Sequence, residues 1–170
     1  MTIATTTRIL LCAAALAAPA AARSGAPDAG HAHSVMVRGD RAMGFSHAKT
    51  LHHFRLLPDG GAIEIVANDA ADTASRNAIR AHLGLIAERF AAGDFSLPMF
   101  IHGAAPPGVP ELQSLRGKIR YAYEPAENGG RVRISTRNAR ALVAIHDFLR
   151  FQIRDHGTGD ALEVLEQPMR

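Results

Sequence analysis

Two turn sequences, Pro58-Asp59-Gly60-Gly61 and Pro125-Ala126-Glu127-Asn128-Gly129-Gly130, constrain this chain more than any other feature. Each separates two runs of alternating apolar residues: 51–57 from 62–67, and 119–123 from 131–135. Alternation with period two on both sides of a glycine-bearing turn predicts a β-hairpin, with glycine supplying positive φ. In the first hairpin His52, Phe54 and Leu56 share a face, as do Ile63 and Ile65 on the returning strand. In the second, Ile119, Tyr121 and Tyr123 oppose Val132 and Ile134 on the inner face. Side chains that alternate across the sheet make each set one apolar face.

A helical pattern follows each hairpin. Ile79, Leu83, Ile86 and Phe90 fall at helical spacing after a cap at Asp72 or Thr73, and Gly93 supplies the stop. Leu142, Ile145, Leu149 and Ile153 do the same after Thr136 or Asn138, with Gly157 as the stop. The stretch from Ala78-Ile79 to Gly93-Asp94 also resembles that from Ala144-Ile145 to Gly159-Asp160. The expectation is an α+β fold built as a tandem ββα duplication: a four-stranded antiparallel sheet with two helices on one face. Unit one covers about 49–94 and unit two about 118–160, within a single domain at 43–170. Between them, 95–117 carries Pro98, Pro106, Pro107, Gly108 and Pro110 and reads as a proline-rich loop. Loops of that length are frequent carriers of function.

The N-terminus reads as an export signal. Arg8 precedes an apolar run at 9–18, and Pro19-Ala20-Ala21-Ala22 offers small residues for cleavage near Ala22. That run of about ten residues is too short for a bilayer core of about 30 Å, so no stable membrane anchor is expected. Residues 1–22 are thus a signal peptide, 23–42 a flexible Ala/Gly/Pro-rich leader, and the location periplasmic or secreted. Cys12, the only cysteine, lies within the signal, so the mature domain folds without disulfides. Cutting after residue 22 of 170 leaves about 148 residues, one domain with a proper core. The formal charge of +3 falls to +2 with the loss of Arg8, too little to suggest nucleic acid as a partner.

Nine histidines occur in the chain. His52 falls on the inner face of the first strand, and His82 and His146 border the helical stripes. His102 lies in the proline-rich segment, three residues after Met99. Imidazole and thioether donors suit copper, and without thiols they are the soft ligands an exported domain retains. The expected metal ligands are therefore His52, His82, His102 and His146, with Met99 as an addition, and Met43 and His47 also within the pattern. A b-type haem on one or two such ligands is a second version, while the missing C-x-x-C-H excludes covalent attachment. The histidine pair His31 and His33 sits in the leader.

Ser135-Thr136-Arg137-Asn138 ends a strand and opens a helix, where hydroxyls, a guanidinium and free amides suit an anion. It resembles the Ser-Thr-Arg-Thr phosphate loop of the carbamoyltransferases over four residues, but no His-Pro-x-Gln partner is present. A helix cap beside a solvated arginine is the simpler account. A wider resemblance rests on Met43-Gly44-Phe45-Ser46, Thr50-Leu51-His52-His53-Phe54-Arg55-Leu56, Met99-Phe100-Ile101-His102 and Ala144-Ile145-His146-Asp147-Phe148-Leu149-Arg150-Phe151-Gln152. These runs look like a family of small exported bacterial proteins, which implies export and a shared fold but no chemistry. The functional expectation is a periplasmic copper-binding protein, its partner a metal ion or small ligand. The alternatives are a non-catalytic domain that docks a periplasmic protein, haem b binding, and an anion-binding enzyme using Ser135, Thr136 and Arg137. No nucleophile-base-orienter set favours an enzyme.

Overall fold

The computed structural model describes residues 29–166; the expected signal peptide and the first part of the leader lie outside them. In chain order the elements are α1 (Ala29–Met43), β1 (Thr50–Leu57), β2 (Gly60–Ala67), α2 (Thr73–Ala92), α3 (Ser96–His102), α4 (Val109–Ser114), β3 (Ile119–Ala126), β4 (Gly129–Thr136) and α5 (Ala139–His156). The strands form one antiparallel sheet in the order β1-β2-β4-β3. Both expected hairpins are present, each closed by two residues: Leu57 pairs with Gly60, and Ala126 with Gly129.

The glycines act differently in the two turns. Gly60 has φ +149, but Gly129 and Gly130 lack the positive φ expected of them. They are required for close approach instead. A Cβ on Gly129 would lie 2.0 Å from the Ile65 carbonyl oxygen, and one on Gly61 would lie 2.2 Å from Leu149 Cδ1. Hydrogen-bonded neighbours and a packed helix leave no volume there.

α2 and α5 cover one face of the sheet, as their stripes predict. Ile79, Leu83, Ile86 and Phe90 are all buried, as are Ile145, Leu149 and Ile153, whereas Leu142 remains half-buried. Asp72 caps α2 by accepting from Ser75 N at 2.9 Å, and Asn138 caps α5 by accepting from Ala141 N at 3.0 Å. Gly93 and Gly157 end the helices in the left-handed conformation. The helices are exchanged between the hairpins. α2 follows β2 but packs mainly on β4 and β3; α5 follows β4 but packs mainly on β1 and β2. Neither ββα unit therefore has a core of its own. The equivalent helix stops, Gly93 and Gly157, also differ from the Gly93-to-Gly159 match in the sequence, so the duplication remains only a likeness of patterns.

Two segments are more ordered than their composition suggests. The expected leader is helical from Ala29, and α1 packs against α3 and α5. Its Val35 is buried, Arg38 Nε donates to the Ile101 carbonyl at 2.6 Å, and His31 pairs with Asp155 at 2.9 Å. Tertiary contacts supply what a sequence without a periodic stripe cannot. The proline-rich segment, expected as a loop, forms α3 and α4 and buries Phe95, Ile101, Val109 and Leu112. Proline is tolerated there because Pro98 and Pro110 fall in first helical turns, where no intrahelical N–H bond is lost.

Candidate functional site

The site grows from the end of the sheet where β1 begins. β1 sends His52 to the inner face beside Phe54, α2 contributes His82, and the last turn of α5 contributes His156. α1 closes the space with Met43, whose Sδ lies 3.4 Å from His52 Nε2. Together with His102 and Gln152 these side chains line an inner cavity of about 60 Å³, otherwise walled by apolar residues such as Ile65, Leu83 and Phe148. The His52 and His156 rings stack at 6.2 Å, His102 meets His156 edge-on at 5.0 Å, and Phe45 lies beside both His52 and His82.

Burial keeps three of these imidazoles neutral. It lowers His52 to about 4, helped by His82 and His47 nearby; it lowers His82 to about 4; and with His102 and His52 it lowers His156 to about 3. Nitrogen lone pairs are therefore open to a ligand at neutral pH without displacing a proton.

His102 is hydrogen-bonded at both ring nitrogens. It is 5% exposed at the end of α3, and its Nδ1 pairs with Asp155 Oδ2 at 2.5 Å while Nε2 meets Gln152 Oε1 at 2.9 Å. Both ring nitrogens are engaged, so His102 is held as a support and not as a donor. Asp155 also receives His31 Nε2 at 2.9 Å. Burial alone would raise its carboxyl, but the bonds from His102 and His31 outweigh this and hold it below the usual carboxylate range. Gln152, 4% exposed, keeps its Nε2 without a partner against the cavity.

The five expected ligands thus divide. His52, His82 and His102 meet at one cavity. His146 does not: its Nε2 reaches the Leu57 and Gly60 carbonyls, each at 3.0 Å, and so pins the β1–β2 turn to α5. Met99 lies on the outer side of α3, 39% exposed. Helical spacing explains both corrections, because residues 146 and 99 sit one position off the inward stripes of their helices. His156 was not among the expected ligands, since it precedes the helix stop. Yet it follows Leu149 by seven and Gln152 by four residues, which places it on the buried stripe. Among the described residues, no three histidine, cysteine or carboxylate groups converge closely enough to hold an ion by themselves.

About 60 Å³ accommodates an ion or a few waters and is far below the roughly 300 Å³ at which small-molecule pockets begin. A porphyrin does not fit there. At Ser135-Thr136-Arg137-Asn138 the hydroxyl is used internally: Thr136 Oγ1 donates to the Lys118 carbonyl at 2.7 Å and accepts from Asn138 N at 3.0 Å. Arg137 is exposed, as a cap beside a solvated arginine requires. No helix among the described residues is long and apolar enough to cross a membrane. No protein family, no curated protein and no solved structure matches this chain.

Proposed function

We propose that this is an exported copper-binding protein that holds one Cu(I) ion in the inner cavity on His52, His156 and Met43, with His82 beside them. The observation that carries the reading is the Met43 thioether 3.4 Å from His52 Nε2, in an apolar cavity that two further neutral imidazoles line. Two imidazoles and a thioether are a soft donor set, and Cu(I) is the common ion that prefers it. Zinc usually takes four ligands of nitrogen, thiolate or carboxylate type, and no thiolate or carboxylate lines this cavity. The proposed location rests on residues 1–22 alone.

Anaerobic competition against a coloured Cu(I) chelator tests this reading. One ion per chain should bind, and Met43→Leu, which keeps the volume but removes the sulfur, should weaken binding about tenfold or more. His52→Ala combined with His156→Ala should abolish it. No stoichiometric binding by the wild-type chain, or binding unchanged in Met43→Leu and the double variant, would overturn it.

A further inference from the structure

A second hollow, of about 250 Å³, lies between α1, the start of β1 and the end of α5. Its walls include Met36, Met43, His47, His52, His53 and His156. Three of these six, Met43, His52 and His156, also line the inner cavity, so the two spaces share a wall of donors. The other three lie further out: Met36 is 39% exposed, and the His47 side chain is 40% exposed.

His47 is prepared as a donor in a specific way. It stands on a single 3-10 turn, His47–Lys49, and its Nδ1 pairs with Asp40 Oδ1 at 2.8 Å. The same oxygen accepts from the His47 backbone N–H at 2.8 Å, which fixes the carboxylate against the ring. A carboxylate accepts, so Nδ1 carries a proton and Nε2 is the ring nitrogen left for a ligand. His53 repeats the pattern, with Nδ1 on Asp160 Oδ1 at 2.9 Å. A carboxylate on the far nitrogen orients a metal-binding imidazole and raises its basicity. Asp40 also places a negative charge behind His47 at the outer hollow, as Asp155 does behind His102 at the inner cavity.

We infer that the α1–β1 hollow is an outer copper position, with His47 as its first ligand, from which Cu(I) passes inward across Met43, His52 and His156. It rests on the copper reading of the inner cavity. The step is a ligand exchange: the Cu–Nε2 bond to His47 breaks as bonds to His52 nitrogen and Met43 sulfur form. Copper stays in the +1 state; the His52 ring proton that faces the Met43 sulfur moves to Nδ1 as Nε2 takes the ion, so the net proton count is unchanged. Met36 stands at the rim as a second soft contact, and Met43 is the shared gate.

Stopped-flow transfer of Cu(I) from its bis-bicinchoninate complex tests this on the full domain. In His47→Ala, uptake and chelator-driven release should both slow at least tenfold, while the equilibrium affinity stays within twofold of wild type. Met36→Leu, an exposed and conservative change, should slow both steps by a smaller factor. Rates within twofold of wild type in His47→Ala and in His47→Ala combined with Met36→Leu would overturn the inference and leave the inner site standing. Affinity falling in step with the uptake rate would also overturn it, since His47 would then be a ligand of the final site. If wild type takes no copper from the complex, the inner site falls, and the outer position with it.

Discussion

The two edge strands occupy matching places in the sheet and are treated in opposite ways. β3 turns Tyr121 and Tyr123 toward α2, where Phe90 stacks on Phe95 at 4.3 Å and meets Tyr121 and Phe148 edge-on at 5.7 and 5.8 Å. That edge is filled by packed aromatic rings, and the Tyr121 hydroxyl, buried and without a partner, is pushed well above its ordinary value by burial. β1 turns His52 toward α5 and α1, and the space between them is lined by imidazoles and a thioether. Each edge strand has a long helix packed on it, and α1 is a further element whose Met43 reaches His52. α1 packs against α3, α5 and α2, and it brings Met43 to the cavity beside His52. Aromatic stacking stabilises one edge, and the other gives up some of that packing for donors.

The largest test of this contrast is Phe95→Ala, because Phe95 stacks on Phe90 but, unlike Phe90, does not line the inner cavity. It should cost about 3–5 kcal/mol in chemical unfolding, as for other buried aromatic truncations, yet leave copper affinity unchanged. A loss of copper binding at native temperature would mean the two edges are not separable.

The next effect is in pH. The unfolded chain, with histidines titrating near 6.5, binds protons that the folded β1 edge refuses, because burial lowers His52, His82 and His156 to about 4, 4 and 3. Stability therefore falls as pH drops from 7 toward 4. In His156→Phe the loss between pH 7 and pH 5 should shrink by about 2 kcal/mol, from 1.36 kcal/mol per unit over about 1.5 units. Urea unfolding at the two pH values measures it, and an unchanged pH slope would show that His156 is charged in the folded protein. Copper affinity should also stay flat from pH 7 to 5, where a solvent-exposed histidine site would weaken.

His146→Ala should cost about 1–3 kcal/mol, because it leaves the Leu57 and Gly60 carbonyls without their shared donor. Copper stoichiometry should not change; loss of the ion would return His146 to the ligand set. Smallest of all, Met99→Ala on the exposed side of α3 should stay within about 0.5 kcal/mol and leave binding untouched.

Much of this architecture was legible before any coordinates. Alternation at 51–57 and 119–123 specified the hairpins, and the stripes of Ile79 to Phe90 and Ile145 to Ile153 specified which helix faces are buried. His52 and His82 could be placed at the core boundary by the same periodicities. What failed did so for a common reason. α1 and α3 bury single residues such as Val35 and Ile101 against partners distant in sequence, and no local pattern announces that. His146 and Met99 lie one position from their stripes, within the error of a reading that knows the helix but not its rotation.

The sequence by itself determined the strands, the turns, the two long helices and their caps, because these follow from local backbone preferences and from burial of a repeating apolar face. Only the tertiary structure decided that α2 and α5 exchange hairpins and that residues 29–43 are helical. It alone decided which histidines are buried and neutral and which are held in hydrogen bonds to carboxylates or carbonyls. Those outcomes depend on contacts between segments more than a hundred residues apart, such as His31 with Asp155 and His53 with Asp160, and periodicity within a segment carries no information about its partner.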